Sequence, residues 1–361
     1  MLLRAWNALL RHRYHTPTGA DELHRVRCAD GVVVVVKRFR AVGRAQGKLP
    51  VLCIPGLGTD SSNFDAPAPY GLARVLADAG HDVFVVDLRG TGLSTLPFSR
   101  WVPVTFDDFV GLDLPAVNEH ICATTGAARV LLLGHSMGGL AAYALLGSGA
   151  GARVAGVVTL CSPLGFPRGL DVAPFFRPLL PLSALTPGLF GGVLGRVVSP
   201  LFLRVHPPWI HHWVVRENID AKVGRRIMYA ALQDVPRGLM HQFQDWLEHD
   251  VVRSKDKTID YRARLHGCRT PVLVVEAPQD GLADRLAVRR ALSLLPNSEL
   301  FIAGTEGGCA VDYGHVDVVF GRSAPADLHP RLIAWLGKHT AQRNESAQRK
   351  QARVVSLRVA A

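Results

Sequence analysis

Near-continuous apolar runs recur along the chain at Val32–Val36, Val51–Ile54, Val83–Val86, Val130–Leu133, Val154–Leu160, Val272–Val275 and Glu299–Ile302. Most are bounded by Gly, Pro or Asp, and from Val51 onward most are separated by stretches long enough for a helix. Strands apolar on both faces that alternate with helices predict a mostly parallel sheet, because the crossover helices cover both of its faces. The first run differs. Only Ala29-Asp30-Gly31 separates the segment around Val26 from Val32–Val36, which predicts an antiparallel hairpin at the sheet edge.

The alternation breaks between Gly165 and Thr270. A Pro/Gly-rich apolar segment there gives way to helical stretches, for example Arg225–Gln233 and Gly238–His249. Lying between two sheet strands, this stretch reads as an insertion covering one end of the sheet. The expected organisation is a core of residues 1–164 and 271–340, a helical lid over 165–270, and a basic tail over 341–361. Pro178–Gly195 carries no charged side chain, but Pro178, Pro181 and Pro187 with Gly188, Gly191 and Gly192 break any continuous helix, so a lid is expected there and not a membrane span.

At 361 residues and 48% hydrophobic content the chain can bury a large core. Its formal charge of +11 invites a polyanionic partner, and the position of the charge answers that reading. Residues 1–40 hold eight Lys/Arg against three Asp/Glu, and residues 338–361 hold six against Glu345 alone. The span between is nearly neutral, with 27 basic and 26 acidic groups. No nucleic-acid-binding motif is present, so no nucleic-acid partner is expected; the basic termini or the lid suit peripheral contact with an anionic membrane. The apolar run in Met1–Tyr14 is short and interrupted by Arg4, so a signal peptide is not expected and the setting reads as cytoplasmic. Cys28, Cys53, Cys122, Cys161, Cys268 and Cys309 form no CxxC pair and read as reduced thiols, Cys53 and Cys161 as small core residues.

The strongest chemical signal is Gly134-His135-Ser136-Met137-Gly138-Gly139, placed after the strand Val130–Leu133 and before the helical run Leu140–Gly147. Gly-x-Ser-x-Gly at a strand-to-helix turn is a nucleophile elbow: the turn is too tight for side chains at the flanking positions, and it lifts the serine hydroxyl above the sheet. An acid and then a histidine should follow in the chain. Asp280, on the loop after Pro271–Glu276, is the candidate acid, with Asp284 and Glu276 as alternatives. His315, after the last strand and before a terminal helix at Pro330–Lys338, is the candidate base. Oxyanion donors are expected from the backbone N–H of Met137 and, in Pro55-Gly56-Leu57-Gly58, of Leu57. That loop lacks the third glycine of a dinucleotide fingerprint, and His206, His211 and His212 lack metal-site spacing, so no cofactor and no metal are expected. Arg89 reads as a structural ion-pair residue. Trp209, Trp213, Phe175, Phe176 and Phe202 read as lid packing that partly lines an acyl pocket.

These residues, together with Asp87-Leu88-Arg89-Gly90-Thr91-Gly92-Leu93-Ser94, give a chain that resembles the α/β-hydrolase family over nearly its whole length. Asp60-Ser61-Ser62-Asn63-Phe64, Asp113-Leu114-Pro115-Ala116 and Tyr313-Gly314-His315-Val316-Asp317 resemble the lysosomal and gastric acid-lipase branch. Pro55 stands where many members carry His. The resemblance implies the α/β-hydrolase fold and a lipase or esterase with a helical lid, acting through Ser136, Asp280 and His315; the apolar, Pro/Gly-rich lid predicts a small-molecule ester with a hydrophobic acyl chain. Transfer of the acyl group to another acceptor, thioester cleavage, and a noncatalytic lipid- or partner-binding scaffold are the alternatives.

Overall fold

The computed structural model describes residues 10, 13–15, 17–43, 48–167, 186–205 and 212–340. Strands β1 (Glu22–Arg27) and β2 (Val33–Phe39) form the edge hairpin, turning at Gly31 with φ of 80°. β3 (Val51–Ile54), β4 (Val83–Asp87), β5 (Val130–His135), β6 (Val154–Leu160), β9 (Val272–Glu276) and β10 (Ser298–Ile302) complete an eight-stranded sheet. Its order is β1-β2-β4-β3-β5-β6-β9-β10; β2 pairs antiparallel with β4, and every later pair is parallel. The mostly parallel sheet and its antiparallel edge are thus as expected.

Val130, Leu131, Leu132 and Leu133 are fully buried, each contributing about 1.5–3 kcal/mol relative to exposure. Helices cover the sheet: α1 (Leu72–Asp78), α2 (Leu114–Thr125), α3 (Met137–Leu146), α7 (Arg285–Leu294) and α8 (residues 329–340). Among the described residues, three more lie between β6 and β9: α4 (Gly191–Val198), α5 (Ala221–Ala231) and α6 (Arg237–His249). That insertion also holds an antiparallel pair not foreseen from sequence, β7 (Gly188–Leu189) with β8 (Val235–Pro236). α5 ends earlier than the helical pattern over Arg225–Gln233 suggested, because Leu232 and Gln233 leave the helix to pair with the loop after β3.

The topology positions a site. The chain passes from β3 to β4 on one side, then returns to β5 on the other side of β3. Loops leaving β3 and β5 therefore diverge, opening a crevice at the carboxyl ends of the strands. Beside it, Arg89 is buried among Asp113, Asp30 and Asp108, donating through Nε to Asp113 Oδ1 at 2.9 Å and through Nη1 to Asp30 Oδ2 at 2.9 Å. This is the expected structural ion pair; removing one partner would strand a buried charge. Phe202 and Trp213 pack on the core. Phe175, Phe176, Trp209, His206, His211 and the tail over 341–361 lie outside the described residues.

Candidate active site

Ser136 stands at the end of β5 with φ of 53° and ψ of −121°, a conformation L-residues rarely adopt. Its N–H donates to Leu160 O on β6 at 2.8 Å, and its carbonyl accepts from Gly139 and Leu140 in the first turn of α3. The strain, of order 1–3 kcal/mol, is held by packing that admits no side chain around the turn. A Cβ on Gly138 would enter the Ile54 carbonyl, one on Gly134 would meet the backbone of Gly138 and Gly139, and one on Gly139 would strike Ser162 Oγ. A Cβ on Gly56 would lie 3.3 Å from the Cβ of Ser136, so the loop after β3 presses directly on the elbow. The N–H of Met137, at the first position of α3, has no acceptor within its own helix.

The acid and histidine loops meet from β9 and β10. His315 Nδ1 lies 2.8 Å from Asp280 Oδ2, and both side chains are buried. Asp280 Oδ1 accepts the N–H groups of Leu282 and Ala283, each at 2.8 Å. Neither alternative acid occupies that place: Asp284 caps α7 through Leu286 N–H at 2.7 Å, and Glu276 is bound by Arg285 and Arg289.

Several residues that sequence reasoning passed over complete the geometry. His135 is fully enclosed, with Nε2 2.9 Å from the carbonyl oxygen of His315 and Nδ1 3.2 Å from Asn63 Nδ2. A carbonyl can only accept, so Nε2 carries the proton and Nδ1 accepts from Asn63. Burial, then the neighbouring His315, push its pKa down to about 3, keeping the ring neutral. Cys161, buried as expected, sits at the end of β6 with φ of 52°. Its thiol hydrogen-bonds Asp280, and burial followed by that carboxylate raises its pKa well above the ordinary thiol value. Cys161, Asp280 and His315 bring their polar atoms within 4.8 Å of one another. With the thiol protonated and both carboxylate oxygens already accepting hydrogen bonds, this is a hydrogen-bonded cluster. Asp317 accepts Gly314 N–H at 3.0 Å, Val215 N–H at 3.0 Å and Asn218 Nδ2 at 2.8 Å, locking the histidine loop to the insertion. The carbonyl of His212 accepts Gly281 N–H at 3.0 Å beside Asp280. Asn63, His135 and Asp317 stood in motifs already singled out, Asp60–Phe64, Gly134–Gly139 and Tyr313–Asp317, whereas Val215 and Asn218 carried no signal.

The loop after β3 is braced separately. Asp87 accepts Ser61 N–H and Leu93 N–H, each at 2.8 Å. Asp60, buried beside it, accepts Ser62 N–H at 2.8 Å and Gln233 Nε2 at 2.7 Å. Burial, then the Asp87 charge, push the Asp60 carboxyl up to about 7.

Sheet order and switch point define a fold, and residues 50–202 match the family model described as alpha/beta hydrolase fold. This chain is an α/β-hydrolase-fold protein. Among its relatives, triacylglycerol lipase 2 of Arabidopsis thaliana is 32% identical over 34% of this chain and 32% of its own length. The chain thus matches about a third of that relative. Triacylglycerol lipase 1 of the same plant is 24% identical over 91% of the chain and 90% of its own length. A soluble variant of monoglyceride lipase from Saccharomyces cerevisiae, solved with a substrate analog, superposes with a TM-score of 0.59 at 16% identity, covering 90% of this chain and 97% of that one. That likeness shows the fold. The sequence relatives are thus triacylglycerol lipases, and the structural likeness is one of fold. No helix among the described residues is long and apolar enough to cross a membrane.

Proposed function

We propose that the protein is a serine ester hydrolase acting on esters of hydrophobic acyl chains. The observation that carries this reading is the 2.8 Å contact between His315 Nδ1 and Asp280 Oδ2, with the His315 carbonyl bound by His135, the residue next to a serine held at φ of 53°. With Nδ1 engaged by the carboxylate, His315 Nε2 is free to take the Ser136 proton as Oγ attacks the acyl carbonyl. The N–H groups of Leu57 and Met137 bind the oxyanion. Collapse expels the alcohol, which receives its proton from His315. Water, deprotonated by the same ring, then attacks the acyl-enzyme, and the carboxylic acid leaves as Ser136 recovers its proton.

The insertion acts as a lid whose surface suits a lipid. Phe190, Val193, Leu194, Val197 and Leu201 are exposed along and beside α4, and the flanking Arg196 and Arg204 suit an anionic headgroup layer. Turnover of p-nitrophenyl esters of increasing chain length by wild type and Ser136→Ala tests the reading. Loss of about six orders of magnitude in kcat is expected for the variant; equal turnover would overturn it. Product analysis with added alcohol or thiol separates hydrolysis from acyl transfer. Labelling by a fluorophosphonate separates an enzyme from a noncatalytic scaffold.

A further inference from the structure

The insertion reaches the loop after β3 as an added piece of strand. Thr59 and Leu232 form an antiparallel bridge, Asp60 N–H donates to Ala231 O at 3.0 Å, and Gln233 N–H donates to Gly58 O at 2.8 Å. Gly58 has φ of 63°, and a Cβ there would lie 3.0 Å from Val235 Cγ2, so the two segments are in close register. The Gln233 side chain extends the contact in two directions. Nε2 donates to Asp60 Oδ2 at 2.7 Å and to Ala230 O at 3.2 Å, while Oε1 accepts Gly92 N–H at 3.3 Å. One amide therefore ties together the loop after β3, the loop after β4 and the end of α5.

We infer that Gln233 is a positioning residue that sets the aim of the Leu57 N–H, so that the oxyanion site is completed by the insertion and not by the sheet alone. This rests on the ester-hydrolase reading. Leu57 sits between Gly56, pressed on the elbow, and Gly58, held by the backbone N–H of Gln233, which the Gln233 side chain in turn fixes in place through Asp60 and Gly92. Gly58 lacks the Cβ that limits backbone rotation, so without an external anchor its conformation, and the direction of the preceding N–H, are free to drift. Oxyanion stabilisation depends on donors already aimed at the developing charge, so small drift costs transition-state binding more than substrate binding.

The test uses the full-length protein and Gln233→Met, which keeps the side-chain length and the backbone bond to Gly58 but removes every side-chain hydrogen bond. A fall in kcat of about 10- to 100-fold with KM within about twofold is expected, less than the loss on deleting an oxyanion donor. Affinity for an alkyl trifluoromethyl ketone, whose adduct carries the oxyanion, falls by the same factor. Asp245→Asn, which breaks an ion pair with Arg253 inside the insertion, is the control, expected to lower the melting temperature and leave kcat unchanged.

Should Gln233→Met fail to fold, Gln233→Glu keeps the shape and the acceptor for Gly92 N–H. The new carboxyl faces Asp60, with Asp87 and Lys37 beyond it and Asp234 on the insertion side. Its loss of kcat should deepen as pH rises and both facing carboxyls ionise. Unchanged kcat in folded Gln233→Met, a rise in KM alone, or a pH-independent Gln233→Glu defect overturns the assignment. A wild type that neither turns over esters nor takes a fluorophosphonate instead overturns the ester-hydrolase reading itself.

Discussion

The two halves of the candidate site are held by different forces. Around Ser136 the constraint is steric and lies in the backbone: Gly134, Gly138 and Gly139 leave no room for a Cβ, and the strained turn is clamped between β3, β6 and α3. Around Asp280 and His315 the constraint is polar and lies in side chains and loop amides drawn from Asn63, His135, Cys161, Val215 and Asn218. A steric clamp tolerates almost no substitution. A distributed hydrogen-bond network loses its members one at a time, each for about 0.5–1.5 kcal/mol when both partners can adjust.

That contrast can be broken from either side. Asp280→Asn should have the largest effect after loss of the serine itself: it replaces the acceptor facing His315 Nδ1, and kcat should fall by about three to four orders of magnitude, the scale of tautomer loss in a serine–histidine pair. A smaller loss in single-turnover assays would mean that another group orients His315. Gly138→Ala follows, because its Cβ would enter the Ile54 carbonyl. Overpacking of this kind costs about 1–3 kcal/mol or more, so denaturant titration should show a lower midpoint, and activity should fall with the displaced elbow. An unaltered midpoint would show that the turn can relax.

The polar half predicts a dependence on pH. His135 has a folded pKa near 3 against an ordinary value of 6.5, and His329, also buried, near 4. Between those limits the unfolded chain binds more protons, so stability rises with pH and is fully present only above about 6.5. His135→Gln should flatten the acid limb of stability against pH. Asp60 acts with the opposite sign: its folded pKa near 7 lies above the ordinary value of 3.8, so the folded state holds the extra proton and stability declines as pH rises through that interval. Asp60→Asn should therefore gain midpoint relative to wild type above neutral pH. The smallest effect is expected at Cys161. Cys161→Ala removes one donor to Asp280 while the two loop amides remain, and kcat should fall by about three- to tenfold with KM unchanged. Loss beyond a hundredfold would make the thiol as important as the amides.

The strand runs, the edge hairpin and the tight turn at Ser136 were legible in the chain because each depends on neighbours a few residues away. Valine-rich runs report burial on both faces, and glycines spaced about a serine report a turn that excludes Cβ atoms. Asp280 was preferred over Asp284 and Glu276 on loop position alone; in the structure those two are engaged by α7 and by Arg285 and Arg289.

What only tertiary structure decided are the contacts between distant polar residues. Asn63 meets His135 across 72 positions, His135 meets His315 across 180, and Gln233 meets Asp60 across 173. Cys161 read as one more apolar core residue, and Gln233 read as the end of a helix. A buried thiol or amide has no periodicity that names its partner, because its hydrogen bond is chosen by which strand ends the sheet order brings together. The chain dictated which residues could carry chemistry through local sterics and burial; the fold decided which of them touch.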